Sequence, residues 1–217
     1  MKYIETEILT NEIKESNKIY IIITGDSSYD LRILKEIGKK YNGIDKILFN
    51  PTLKIQNKKG KTALNSLSIL AYKYRINSII FIIDGEYFND AIEIELKNAL
   101  LERAYNIKEI LYLNHAYSIK CQKGDYEILL YCIISGIEIC IEEEIVKFIK
   151  TKFSIEVNIS EIESKQGKDR IKREINQILK RNNLKDITEL IKISEKRNLE
   201  EAFPNICAVF KKIEEDI

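Results

Sequence analysis

The stretch NSIIFIID, residues 77–84, decides the fold because the run from Ile79 to Ile83 is apolar throughout and ends at an acidic turn. A strand without polar alternation is typical of the buried centre of a parallel sheet. Two earlier runs, KIYIIIT at 18–24 and KILFN at 46–50, have a similar apolar character. The three runs together predict the central strands of an α/β protein.

Segments of helical period separate these strands. YDLRILKEIGKKY places Leu31, Leu34, Ile37 and Tyr41 on one face of a helix, and TALNSLSILAYKYR and residues 87–105 have the same spacing. IKEILYLN predicts a fourth strand, and YEILLYCIIS a further strand that pairs either with it or with AYSIKC. We therefore expect a Rossmann-like, mainly parallel sheet flanked by helices, with the strands at 18–24 and 77–84 adjacent.

The pattern changes at Gly136, after which only helical periods follow. This change predicts an α/β domain at 1–135 and a C-terminal helical region at 136–217 that packs on it.

Gly and Pro number only 8 and 2, as in a well-ordered globule. The abundance of Ile, Lys and Glu suits a heat-adapted organism.

The composition excludes several classes of protein. Basic and acidic residues number 35 and 34, so the net charge gives no reason to expect a nucleic-acid coat protein or a membrane-surface binder. No signal peptide or apolar run of about 18 residues is present, so we expect a cytoplasmic protein without a membrane partner. The single histidine, His115, and four isolated cysteines give little material for a zinc site or a Ser-His-Asp triad.

Two acidic turns follow the predicted central strands. TGDSSYD places Asp26 and Asp30 four residues apart after the strand at 18–24, and DGE places Asp84 and Glu86 after the strand at 77–84. Ligands of open parallel sheets bind beyond the carboxyl ends of the strands, where these turns would meet. Helix capping by Asp26 explains the first turn alone, but not both turns together. Clustered carboxylates without histidine suit a hard cation such as Mg²⁺.

The two turns resemble those of the Toprim family, which occurs in primases, topoisomerases, overcoming-lysogeny-defect nucleases and small stand-alone archaeal proteins. The family has a glutamate after its first strand, often with another acid four residues on, and a D-x-D pair after its third. Asp26 and Asp30 match the first spacing, and Asp84 and Glu86 the second. The resemblance covers about residues 18–113. Asp26 replaces the family's glutamate, unless Thr24 is aligned there, in which case that carboxylate is absent.

This resemblance implies a nuclease-like phosphoryl-transfer enzyme. Asp84 and Glu86 would hold Mg²⁺ or Mn²⁺, Asp26 would have the glutamate's catalytic role, and Asp30 would support the site. Two alternatives stay open. The chain could be a non-catalytic Toprim-derived module that binds nucleic acid or protein, or a Rossmann-like nucleotide-binding domain.

A lysine-rich loop supplies the expected contacts with nucleic acid. The lysines of this loop could attract a phosphate backbone, but a loop that is simply exposed to solvent would account for the same lysines. The predicted nucleic-acid-binding residues are Lys54, Lys58, Lys59 and Lys61. Gly60-Lys61-Thr62 is not a Walker A motif, because Ile55 stands where that motif needs its first glycine. A second basic stretch, KQGKDRIKR, is expected on an exposed helix face.

Overall fold

The computed structural model describes residues 1–6, 18–25, 28–43, 45–51, 59–89, 91–113, 116–136 and 138–215. Within them the chain is an α/β protein with a seven-stranded, mostly parallel sheet and eight α-helices. The strands are β1 (Lys2–Thr6), β2 (Lys18–Thr24), β3 (Lys46–Pro51), β4 (Ser78–Asp84), β5 (Asn106–Tyr112), β6 (Ala116–Lys123) and β7 (Tyr126–Ser135). The helices are α1 (Ser28–Gly38), α2 (Leu67–Tyr74), α3 (Ile92–Leu101), α4 (Ile141–Phe153), α5 (Lys165–Arg181), α6 (Ile187–Ile193), α7 (Lys196–Ala202) and α8 (Pro204–Glu215).

The strand order is β1-β3-β2-β4-β7-β6-β5. β1, β3, β2, β4 and β7 are parallel to one another, β6 pairs antiparallel with β7, and β5 pairs antiparallel with β6. The predicted adjacency of the strands at 18–24 and 77–84 is confirmed, because Tyr20 pairs with Ser78 and Thr24 with Ile82. Parallel neighbours end at the same edge, so the segments after β2 and β4 leave the sheet side by side.

Several elements differ in detail from the sequence prediction. β7 pairs with β6 rather than with β5, which decides between the two pairings that the sequence left open. The predicted helix at 62–75 begins as a 3-10 helix, Gly60–Ser66, before α2. The helix predicted within 87–105 is restricted to α3, and the segment LKDITELIKISEKR divides between α6 and α7 at Ser194.

Each face of the sheet carries its own hydrophobic core. One face packs against α2 and α3, with Ile79, Phe81 and Ile83 of β4 pointing to that side. The opposite face packs against α1 and the helices after Gly136, with Ile80 and Ile82 in its core. Successive side chains of a strand point to opposite faces, so the next residue in the second series is Asp84. The C-terminal helices therefore cover the face on which the predicted ligand Asp84 lies.

None of the helices among the described residues combines the length and hydrophobicity needed to cross a membrane.

Candidate functional site

Asp84 is the last residue of β4 and is only 2% exposed. Its Cα pairs in register with that of Ser135 at the end of β7, so both side chains point toward α4. The Asp84 Oδ1 accepts a long hydrogen bond, 3.4 Å, from the backbone N–H of Ile141, the first residue of α4. The amino end of a helix carries partial positive charge. The predicted ligand Asp84 is thus stabilised by α4.

Glu86 lies in the short 3-10 turn that follows β4, and its side chain is 33% exposed. Its backbone N–H donates to the carbonyl of Ile139 at 2.8 Å, which ties the turn to the loop between β7 and α4. Its carboxylate accepts a hydrogen bond from the Lys168 ammonium of α5, forming an ion pair. The predicted metal ligand Glu86 is therefore in contact with a cation from the C-terminal helices.

The environment of Lys168 strengthens its positive charge. Burial lowers the pKa of the Lys168 ammonium, but the hydrogen bond to Glu86 and the nearby charges of Glu86 and Asp84 more than offset this effect, so the pKa is raised above its ordinary value. The Lys168 side chain is 17% exposed. Lys168 therefore interacts electrostatically with both predicted metal ligands, Asp84 and Glu86.

The loop before α4 is fixed by a single glutamate, Glu143. Its Oε2 accepts the backbone N–H groups of Glu138 at 3.0 Å, Ile139 at 2.7 Å and Cys140 at 3.2 Å. This arrangement is the capping box of α4, with Cys140 as the N-cap residue. Because Ile139 also contacts the turn after β4, Glu143 holds the loop against the candidate site.

Gly85 permits the close contact between the two loops. A Cβ atom at this position would lie 2.7 Å from the carbonyl oxygen of Glu138, a distance that Cβ atoms essentially never show. The glycine in the DGE turn is therefore required by the approach of the loop before α4.

Asp30 lies in the first turn of α1 and is 1% exposed. A second buried acid, Glu144 of α4, interacts electrostatically with the Asp30 carboxylate. Burial raises the pKa of Glu144 to about 8, with further increases from Glu143 and Asp30, although the backbone N–H of Gly136 donates to this carboxyl group. Within the described part of the chain, Glu144 Oε2 has no hydrogen-bond partner.

Sequence reasoning missed Glu144 and Lys168. Glu144 belongs to the run IEEEIV. Three acids in the first turn of a helix are expected because they interact favourably with the helix dipole, so this pattern does not indicate that one of them is buried. Lys168 lies in the basic stretch that was expected on an exposed face. The spacing of Lys168 and Lys172, four residues apart on one helix face, is the signal that could have indicated a shared acidic target.

Asp26 lies outside the described residues, so its position relative to Asp84 and Glu86 is left open. The structure places the residue before it: the Gly25 N–H donates to the Ile82 carbonyl at 2.7 Å, beside the end of β4. Gly25 therefore lies at the edge of the sheet where the DGE turn begins.

Asp84 and Glu86 are the two residues that the sequence predicts as Mg²⁺ ligands. Within the described ranges, no three His, Cys, Asp or Glu side chains are gathered as a metal-binding group. Mg²⁺ is commonly held by one or two protein carboxylates, with waters and substrate phosphates completing its coordination. Two carboxylates are the kind of donor set that this mode uses, but here Asp84 is buried and Glu86 is paired with Lys168.

The lysine loop is only partly described. Lys54 and Lys58 lie outside the described residues, and Lys59 is exposed. Lys61 forms an ion pair with Glu95 of α3, and its ammonium lies 5.2 Å from the centre of the Phe88 ring. Of the two described lysines, therefore, Lys59 is the one that is open to a phosphate.

The second basic stretch divides between two sides of α5. Lys168 and Lys172 contact acids of the neighbouring elements. Arg170, which lies 3.6 Å from the Glu161 carboxylate, lines a surface cavity of about 450 Å³ together with Arg173 and Arg181. Glu174, Gln177 and Ile178 complete most of this lining. The cavity is a second place where cations of the chain are concentrated.

All four cysteines are buried and free, as expected for core residues, and His115 lies outside the described residues. Burial raises the pKa of Cys121 to about 11, which keeps this thiol protonated near neutral pH. Thiol chemistry is therefore not indicated at this cysteine.

Comparisons with protein-family models, with curated proteins and with solved structures find no match for this chain.

Proposed function

We propose that the chain is a Toprim-like protein that binds Mg²⁺ or Mn²⁺ with Asp84 and Glu86 and acts on a phosphodiester of nucleic acid. The observation that supports this proposal is the parallel pairing of β2 and β4. It brings the DGE turn beside the segment that leads into Asp26, as the resemblance to the family requires.

Each residue of the site has a proposed task. Asp84 is held by the first amide of α4, which orients its carboxylate at the strand end. Glu86 is kept in place by its backbone bond to Ile139. Asp26 has the role of the family's glutamate in acid–base chemistry, and Asp30 supports the site. A bound metal ion would polarise the phosphodiester and lower the pKa of a bound water.

A nucleic-acid substrate also needs positive charge on the protein, since the site itself is acidic. Lys59 is exposed and adjoins the predicted lysine loop. The arginines around the cavity on α5 offer a further contact for phosphates. A cytoplasmic location and a heat-adapted archaeal source, which the composition and the family resemblance favour, belong to the same proposal.

A second function is favoured by the ion pair between Lys168 and Glu86. A lysine that neutralises a metal ligand suits a non-catalytic Toprim-derived module that binds nucleic acid or a protein partner. The two functions differ in their need for metal, so one titration separates them.

The test is a calorimetric titration of Mg²⁺ and Mn²⁺ into the wild type and Asp84→Asn, with cleavage of DNA and RNA measured in parallel with and without a chelator. We expect at least a tenfold loss of metal affinity in Asp84→Asn, because a neutral amide is a poorer ligand for a hard cation. Asp125→Asn, at an exposed turn, is the matched control and should bind metal as the wild type does. Equal metal affinity in Asp84→Asn and wild type would refute the metal site.

A further inference from the structure

α5 carries a row of three arginines on the side of the helix that is turned away from Lys168. The arginine row consists of Arg170, Arg173 and Arg181, which line the surface cavity of about 450 Å³. With 3.6 residues per turn, these three positions lie within an arc of about 80° on the helix surface. Glu174 is the acid in the cavity lining, so three arginines and one glutamate give that lining a net charge of +2.

The charge of the arginine row is largely uncompensated within the described part of the chain. There, neither Arg173 nor Arg181 takes part in an ion pair, and the Arg173 Nε donates to the backbone carbonyl of Asp169 at 3.2 Å. Arg170 lies 3.6 Å from Glu161, but both side chains are solvent-exposed, at 41% and 64%. Exposed ion pairs of this kind contribute little and exchange their partners readily. The row is therefore open to an anion from outside the chain.

The length of the row favours a chain of anions over a single one. Arg181 follows Arg170 by eleven positions, which corresponds to about 16 Å along a helix that rises 1.5 Å per residue. One phosphate group is too small to contact both ends of such a row. In a duplex, the phosphates of one strand follow each other at about 3.4 Å along the axis, so about five of them face 16 Å of protein.

The chemistry of the row suits phosphate oxygens. A guanidinium group presents a planar fork of N–H donors that binds two oxygens of one phosphate, which a lysine ammonium does not do. The cavity also has an apolar part formed by Ile155 and Ile178, and Ile178 is only 4% exposed. These side chains offer van der Waals contact to a sugar without reading a base.

We propose that the arginine row of α5 is a docking surface for the phosphodiester backbone of nucleic acid, separate from the DGE turn. The choice of nucleic acid among polyanions rests on the proposed function, but binding at the row needs no metal ion. The row belongs to the C-terminal helices, outside the part of the chain that resembles the Toprim family. These helices thereby hold the substrate in addition to covering the sheet.

The test measures binding by fluorescence anisotropy, in the presence of EDTA and at several salt concentrations. The probes are fluorescein-labelled single-stranded DNA, RNA of the same sequence and duplex DNA, each of about 20 nucleotides and so longer than the row. The proteins are the wild type, Arg173→Ala/Arg181→Ala, Arg173→Lys/Arg181→Lys and Lys73→Ala/Lys108→Ala. The last is the matched control, because it removes two exposed positive charges from α2 and β5 instead.

We expect the double alanine variant of the row to bind at least tenfold more weakly than wild type. Because two phosphate contacts are lost, the slope of log affinity against log salt for duplex DNA should become shallower by about 2. The double lysine variant keeps the charge, so it should keep the wild-type slope and lose less affinity. The control should stay within about twofold of wild type. Circular dichroism checks that each variant retains the fold.

Three results would overturn the inference. The first is a double alanine variant with the affinity and salt slope of wild type, and the second is an equal loss in the Lys73→Ala/Lys108→Ala control, which would show an effect of net charge alone. The third is displacement of the bound probe by polyglutamate as effectively as by unlabelled DNA of equal charge, which would indicate an acidic protein partner.

The same proteins separate this inference from the metal site. A wild type that binds nucleic acid through the row, but shows equal Mn²⁺ affinity to Asp84→Asn, would sustain the docking surface and refute the metal site. A wild type that binds Mn²⁺ through Asp84, but none of the three probes in EDTA, would refute the docking surface and leave the metal site standing.

Discussion

Replacing Glu144 by glutamine removes a carboxyl group that lies wholly inside the protein. The residue is 1% exposed, and glutamine has nearly the same size and keeps an oxygen that can accept the Gly136 N–H. The substitution therefore changes the charge of the site without opening a cavity. Its effect on the free energy of unfolding isolates the cost of ionising Glu144 in the folded state.

The sign of the effect follows from the direction of the pKa change. Burial raises the pKa of Glu144 in the folded protein to about 8, whereas an exposed glutamate titrates near 4.5. Between these two pH values the folded state binds the proton and the unfolded state does not, so wild-type stability falls as pH rises. Below pH 4.5 the carboxyl group is neutral in both states and carries no penalty. Glu144→Gln has no such dependence.

The expected magnitude is large for a single substitution. Each tenfold change in the acid dissociation constant corresponds to about 1.4 kcal/mol, so a pKa raised to about 8 predicts a penalty of about 3 to 5 kcal/mol above pH 8. Glu144→Gln should therefore exceed wild type in stability by this amount at pH 9. The difference should shrink toward zero at pH 4.5.

Urea unfolding followed by circular dichroism at intervals from pH 4.5 to 9 measures this difference. Glu201→Gln makes the same chemical change at an exposed position of α7 and should show no comparable rise with pH. Acids that are not coupled to Glu144 titrate equally in both proteins and cancel in the comparison. A Glu144→Gln protein that is no more stable than wild type at pH 9 would refute the reasoning, because the carboxylate would then be stabilised inside the fold.

Three further predictions concern the loops and acids around Asp84. Glu143→Ala should lower the free energy of unfolding by about 2 kcal/mol, because three backbone N–H groups of the loop before α4 lose the carboxylate oxygen to which they donate. Chemical denaturation measures this change, and Glu143→Gln, which keeps an acceptor oxygen, should lower the free energy of unfolding by less. Gly85→Ala should destabilise the fold by about 1 to 3 kcal/mol in thermal unfolding, because its Cβ would collide with the Glu138 carbonyl, and unchanged stability would contradict the close approach of the two loops. Asp26→Asn should slow cleavage of nucleic acid about a hundredfold if this residue has the catalytic role; if it only caps a helix, the rate should stay nearly unchanged because asparagine caps as well.

The central strands could be predicted because each is a short apolar run bounded by polar turns. β2, β3 and β4 were all expected from their sequences, and so was the pairing of β2 with β4. β1 was not expected, since its sequence KYIET is short and only partly apolar. It forms at the sheet edge by pairing with β3, which is a tertiary contact that a local pattern does not encode.

The candidate site could be predicted only where its residues follow strand ends. Asp84 lies at the predicted end of β4, and its burial follows from strand alternation. Lys168 and Glu144 reach the site from helices that are distant in sequence, so their roles depend on how the C-terminal region folds back onto the sheet. Periodicity predicts that such helices have an apolar face, but it does not predict which strand end that face covers.

The C-terminal helices supply the positive charge that the acidic turn needs. Asp84 and Glu86 both lie near the Lys168 ammonium, and acids that gather at one place are costly without a cation or hydrogen-bond donors. The amino end of α4 contacts Asp84, and Lys168 of α5 contacts Glu86. Both contributions come from the part of the chain after Gly136. Changes in these helices should therefore alter the candidate site even where they leave the DGE turn itself unchanged, because the electrostatic balance of the two acids is set by α4 and α5.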